Sequence, residues 1–164
     1  MSSREFQKLT DEARNLIESA HAALPVKLSA LASNLGVRVV ASTLPAGISG
    51  ELRPTTDGSY VISINRHDSS RRQRFTVAHE LAHLLLHRDH IGTGIKDDAL
   101  YRSGLSDARE AEANRLAAEI LMPMSLVKQK LQAHGGVATE DVVAKLAVEF
   151  GVSDAAMRIR MGLE

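Results

Sequence analysis

Beyond residue 68 every apolar run in this 164-residue chain recurs at steps of three and four, and none alternates as a half-buried strand does. Helices are predicted over residues 69–87, 106–121, 124–133, 140–150 and 154–161. Strand patterns are confined to the part before them. A β-branched run covers residues 37–40. Residues 48–53 and 60–65 alternate apolar and polar around Pro54-Thr55-Thr56-Asp57-Gly58-Ser59, which reads as an antiparallel hairpin. Ahead of the strands, Phe6, Leu9, Ala13, Leu16, Ile17 and Ala20 predict one amphipathic helix over 3–22, and 26–34 a second, ended by Gly36. Strands first and helices after place the chain in the α+β class, with a small antiparallel sheet of about three strands packed on helices. The longest stretch without predicted structure runs from His87 to Leu105, and a loop of that length in a compact domain is more often functional than idle.

A chain of this size buries a core without covalent staples. It contains no cysteine, which excludes a disulfide framework, a cysteine nucleophile and every thiolate metal site. Any metal must therefore be held by His, Asp or Glu. Lys plus Arg number 20 and Asp plus Glu number 20, so net charge gives no pull toward nucleic acid or anionic lipid. Aromatic residues make up 3%, with no Trp, which argues against a base-stacking or carbohydrate platform. The opening MSSREFQKLTDEARNLI lacks the apolar run of a secretory signal, and no stretch reaches the roughly 20 apolar residues of a membrane span. A soluble cytoplasmic protein without a membrane partner is expected.

The helix over 69–87 contains His79-Glu80-Leu81-Ala82-His83, an H-E-x-x-H pattern. Two histidines four apart share one helical face and can reach a single tetrahedral ion, for which zinc is the default and manganese or iron the alternatives. Glu80 is rotated about 100° from His79, which puts its carboxylate beside the ion rather than on it, where a general base for a metal-activated water belongs. A pair of satisfied core histidines is the structural alternative.

A catalytic ion wants a third protein ligand and an open fourth position. His87 is eight residues from His79, about 12 Å along the axis, so it is assigned a supporting role rather than ligation. On the helix over 106–121 a helical wheel places Glu110 in the face made by Ala113, Ala117 and Leu121, with Glu112 and Glu119 beside Arg115 on the other side. A carboxylate in an apolar stripe is expensive unless it binds a cation, so Glu110 is the candidate third ligand, with Asn114 placed to support a ligand. Glu112 reads as a solvated charge. His90, Asp97, Asp98 and Asp107 are weaker candidates because they lie in the loop or at its end.

The stretches SSRRQRFTVAHELAHLLLH and EAEANRLAAEILMP resemble the ImmA/IrrE family of zinc metallo-endopeptidases. The resemblance includes Ile64-Asn65 ending a strand, Arg72-Gln73-Arg74-Phe75-Thr76 leading into His79 to His87, Glu110-Ala111-Glu112-Ala113-Asn114, and Leu121-Met122-Pro123. Ala82 stands where many relatives have Gly, and Leu116 where Phe is usual. The resemblance implies a zincin-like core with zinc on His79, His83 and Glu110 and with Glu80 as base. It also implies a minimal member whose substrate is a helix-turn-helix repressor, in a setting of transcription regulation and mobile elements. On this reading residues 1–123 form the peptidase domain and 124–164 a helical extension.

Smaller signals complete the expectations. Arg71, Arg72 and Arg74 sit where positive charge opposes the helix dipole, so they pair with carboxylates of the fold or meet an acidic substrate segment. Residues 60–65 are either an interior strand or a free edge that aligns an extended peptide. Tyr101 is a candidate donor to the tetrahedral oxyanion, with a surface or packing role as its alternative. Residues 141–161 resemble a helix-turn-helix, but residues 141–164 carry Asp141, Glu149, Asp154 and Glu164 against Lys145, Arg158 and Arg160. That balance is poor for phosphate contact, so direct DNA binding is not expected. The alternative function is a DNA- or repressor-binding regulatory module with a purely structural metal site.

Overall fold

The computed structural model describes residues 2–98 and 104–163, apart from the side chain of Asp98. Side-chain caps set several of its helix boundaries, and one of them splits the predicted N-terminal helix. The Thr10 side chain accepts from Ala13 N, starting a new helix there, so the segment is α1 (Arg4–Gln7) followed by α2 (Asp11–Ala20). Helix α3 (Leu28–Asn34) then leads into β1 (Val37–Ser42), β2 (Ile48–Pro54) and β3 (Tyr60–Asn65).

The class is α+β, as the pattern predicted, but the sheet is mixed and has a fourth strand. Its order is β1-β3-β2-β4, with β4 formed by Ile95–Asp98. The hairpin pairs β2 with β3 antiparallel, while β1 runs parallel to β3 with Val37 opposite Tyr60. Strand β3 is therefore interior, which removes the free edge considered for residues 60–65. It is also buried on both faces at Val61, Ile62 and Ser63. Strand β4 lies in the segment that had no predicted structure, after a 3-10 turn at Arg88–His90. It exists because it completes the outer hydrogen bonds of β2, a pairing that so short a segment could not announce.

Helix α4 (Ser70–Leu86) is capped by the Ser69 side chain, which accepts from Arg72 N. Every residue from Thr76 to Leu84 is buried, so this helix runs through the core rather than over it. One side meets the sheet and the other meets α5 (Asp107–Leu121). Gly50 of β2 is what allows the close approach on the sheet side. A Cβ there would lie 2.4 Å from Thr76 Cγ2 and 3.5 Å from Glu80 Oε1. Helices α6 (Met124–Ala133), α7 (Glu140–Phe150) and α8 (Asp154–Arg160) follow, and Gly151 in the left-handed region closes α7. Among the described residues no helix is long and apolar enough to cross a membrane.

The face of α5 that the wheel assigned to solvent is covered by α1. Ser3 N donates to Glu119 Oε2 at 2.8 Å, Arg115 donates to Glu5 Oε1 at 2.7 and 2.9 Å, and Glu119 is buried. Glu112 accepts from Lys8 Nζ at 3.0 Å rather than standing alone in water. A wheel reports which residues share a side; it does not report that a short helix from elsewhere will cover the polar side as well.

Candidate metal centre

His79 and His83 stand one turn apart on α4, and Glu110 enters from the first turn of α5. Their reactive atoms converge. His79 Nε2 and His83 Nε2 are 3.0 Å apart, Glu110 Oε2 is 3.2 Å from the first and Glu110 Oε1 is 3.3 Å from the second. Asp97 of β4 joins them, its Oδ2 3.5 Å from His79 Nε2. One ligand atom from each of the four lies within 4.8 Å of the others.

The outer nitrogens of both imidazoles are already engaged. Asn114 Oδ1 can only accept, so His79 Nδ1 donates to it at 2.9 Å and leaves Nε2 bare toward the cluster. His83 Nδ1 meets His87 Nδ1 at 3.0 Å. When His83 donates in that pair, its Nε2 is bare as well. His87 then turns Nε2–H toward Glu112 Oε1, 3.6 Å away, and Glu112 is held by Lys8. The supporting roles read for Asn114 and His87 have definite partners here.

Two bare nitrogens facing each other with carboxylates alongside require a proton or a cation between them. Atoms bound at 2.0–2.1 Å to a common tetrahedral centre lie about 3.3 Å apart, so the separations of 3.0 to 3.5 Å fit a zinc-sized ion. The charge balance points the same way. Glu80, Asp97 and Glu110 are all buried, and a divalent cation would offset the cost of ionising them.

Glu80 lies beside the cluster on α4 and wholly out of solvent. Burial, reinforced by the Asp97 carboxyl against it and by the charges of Glu110 and Glu51, pushes its pKa well above the ordinary carboxylate range. Burial and the neighbouring His79 hold His83 down to about 4. These are the shifts of a desolvated site, the setting in which acid-base groups are poised for chemistry.

The structure brings His79, His83 and Glu110 together, with Glu80 against Asp97 beside them, and raises Asp97 from a weak loop candidate to a member of the cluster. His90 and Asp107 are not part of it. Tyr101 lies outside the described residues. Of the arginines, Arg71 Nη1 pairs with Asp154 Oδ1 at 3.3 Å, and Arg74 Nη2 donates to the carbonyl of Val26 at 2.8 Å. Gly50 was missed, although an isolated glycine within an alternating strand signals a close backbone approach.

This centre is carried on two packed helices and backed by a sheet. Residues 32–161 match the Peptidase_M78 family, described as the IrrE N-terminal-like domain. The chain belongs to this family, the ImmA/IrrE peptidases, and is a metallopeptidase by that membership. Comparison with curated proteins finds no match.

The hydrogen bond from His79 to Asn114 carries an expectation. Asn114→Ala should weaken zinc binding by about 10- to 100-fold, because the imidazole loses the partner that fixes its tautomer and orientation. Competition with a chromophoric chelator measures it, and Asn114→Asp, which keeps an acceptor oxygen, should recover most of the affinity.

Proposed function

We propose that the chain is a zinc-dependent endopeptidase in which His79, His83 and Glu110 hold the ion and Glu80 is the general base. The observation that carries this reading is the convergence of two imidazole Nε2 atoms and the Glu110 carboxylate within 3.0 to 3.3 Å, with Glu80 beside them on the same helix. Zinc is the expected ion, with manganese or iron able to use the same ligands. When bound, it supplies Lewis acidity toward water and toward a peptide carbonyl.

The protein's own groups do the rest. Asn114 and His87 orient the two imidazoles so that both bare nitrogens point to one place. Glu80 takes the proton from the attacking water and returns it to the leaving amine; burial and Asp97 favour its neutral form, and a bound cation would offset that and let it start ionised. The substrate is a protein, and we assign it as a helix-turn-helix transcriptional repressor encoded beside the enzyme. The setting is the cytoplasm, with no membrane or direct DNA partner. Residues 1–123 make up the peptidase unit, and 124–164 form a helical extension on it.

Burial of the whole cluster favours one competing reading, a structural metal site in a repressor- or DNA-binding module. Incubation of the purified protein with the co-encoded repressor separates the two. A discrete cut that disappears on chelation and returns with zinc supports the peptidase. Repressor or DNA binding without cleavage supports the module.

A further inference from the structure

Four protein ligands around one ion is the arrangement of a structural site, whereas a hydrolytic site keeps a position open for water and substrate. For this chain to act as proposed above, one of His79, His83, Glu110 and Asp97 must withdraw. Three of them sit on α4 and α5, helices of 17 and 15 residues packed against each other. Asp97 sits on a four-residue strand.

That strand occupies a specific place. One edge of β2 pairs with β3, and β4 covers the other, antiparallel, with Gly50 opposite Asp97, Glu51 opposite Lys96 and Leu52 opposite Ile95. Gly50 is the residue that packs against Glu80, so the pairing register itself delivers the Asp97 carboxyl to the general base and to His79 Nε2. An extended peptide approaching Glu80 and the ion along this sheet would need the same edge of β2, and its scissile carbonyl would need the place that Asp97 fills. With β4 seated, His79, Glu80, His83 and Asp97 are 0% exposed and Glu110 5%, too little for a peptide to touch.

We propose that β4 is a built-in plug: Asp97 closes the fourth position of the centre, and an extended stretch of substrate protein is cut only after it replaces β4 on β2. The inference rests on the peptidase reading of the site. It extends that reading to substrate form, which is an unfolded or locally opened segment rather than a folded surface, and to regulation, since whatever draws off β4 activates the enzyme.

The absence of cysteine makes a tether test clean. In the full chain, Glu51→Cys with Lys96→Cys places two thiols across the β2–β4 pair. Oxidised, this variant is expected to keep one zinc per chain and to cleave repressor and casein at least about tenfold more slowly than when reduced. Equal rates in the two states would overturn the plug. Asp97→Ala gives a readout that does not depend on activity. With cobalt in place of zinc, its absorption spectrum should change as a carboxylate leaves the coordination sphere, while stoichiometric metal is retained. An unchanged spectrum, or loss of the metal altogether, would also overturn it. If wild type, reduced tether and Asp97→Ala all hold zinc and none cuts any protein, the peptidase reading itself falls and takes the plug with it.

Discussion

Glu80→Gln should hold the same amount of zinc as the wild type and cleave its substrate about 10²- to 10⁴-fold more slowly, the range that a positioned general base contributes. The amide has the shape of the carboxyl but cannot accept the proton from water. Nothing in the ligand set changes, because the converging atoms belong to His79, His83, Glu110 and Asp97. Folding should not suffer either. A neutral group replaces a carboxyl whose ionisation is opposed by complete burial and by Asp97, Glu110 and Glu51. The variant therefore separates chemistry from assembly, which His79→Ala cannot do because it removes a candidate ligand. Metal content by atomic absorption, thermal unfolding and single-turnover cleavage are the three measurements. Undiminished cleavage with metal retained would remove Glu80 from the mechanism.

The parts of the centre that were legible in the sequence are those set by helical spacing. His79 and His83 share a face whatever else the chain does, and the apolar neighbours Ala113, Ala117 and Leu121 are enough to turn Glu110 inward. The helix ranges starting at 69 and 106 hold as well, and the reason is visible in the structure: Ser69 and Ser106 each accept the backbone N–H three residues on. What escaped depends on partners far along the chain. Asp97 is buried because β4 adds to β2, more than forty positions earlier, and Ile95-Lys96-Asp97 by itself is too short a pattern to be called a strand. Glu119 left the solvent, and the still exposed Arg115 found Glu5 as a partner, because α1 folds against this side of α5 after Thr10 has broken the predicted N-terminal helix. Parallel pairing of β1 with β3 likewise follows from the sheet as a whole, since local alternation is blind to strand direction.

Stripping the metal should cost the fold several kcal/mol and make what remains sensitive to acid. In the metal-free protein burial and His79 hold His83 down to about 4, against about 6.5 for an unfolded histidine. Below pH 6.5 the unfolded chain takes up a proton that the folded chain refuses, so the contribution of His83 to stability falls as pH drops from 6.5 toward 4. The loss is on the order of 3 kcal/mol once both values are passed. Glu80 acts in the opposite direction. Its raised pKa means that the folded state keeps a proton the unfolded state has released, so its contribution is lost as pH rises. From about pH 4.5 to 6.5 the two effects run against each other, so the loss from His83 shows mainly below that window and the loss from Glu80 mainly above it. Zinc at a thousandfold excess over its dissociation constant should restore about 4 kcal/mol, or on the order of 10 °C in Tm for a chain of this size. The gain should shrink at pH 5, where protons compete with the ion for the imidazoles. Calorimetry of chelator-treated protein at pH 5 and pH 7, with and without zinc, checks each part. His79→Ala should show no zinc-dependent shift at either pH, and a wild-type Tm indifferent to zinc would mean that the four converging side chains do not form a metal site.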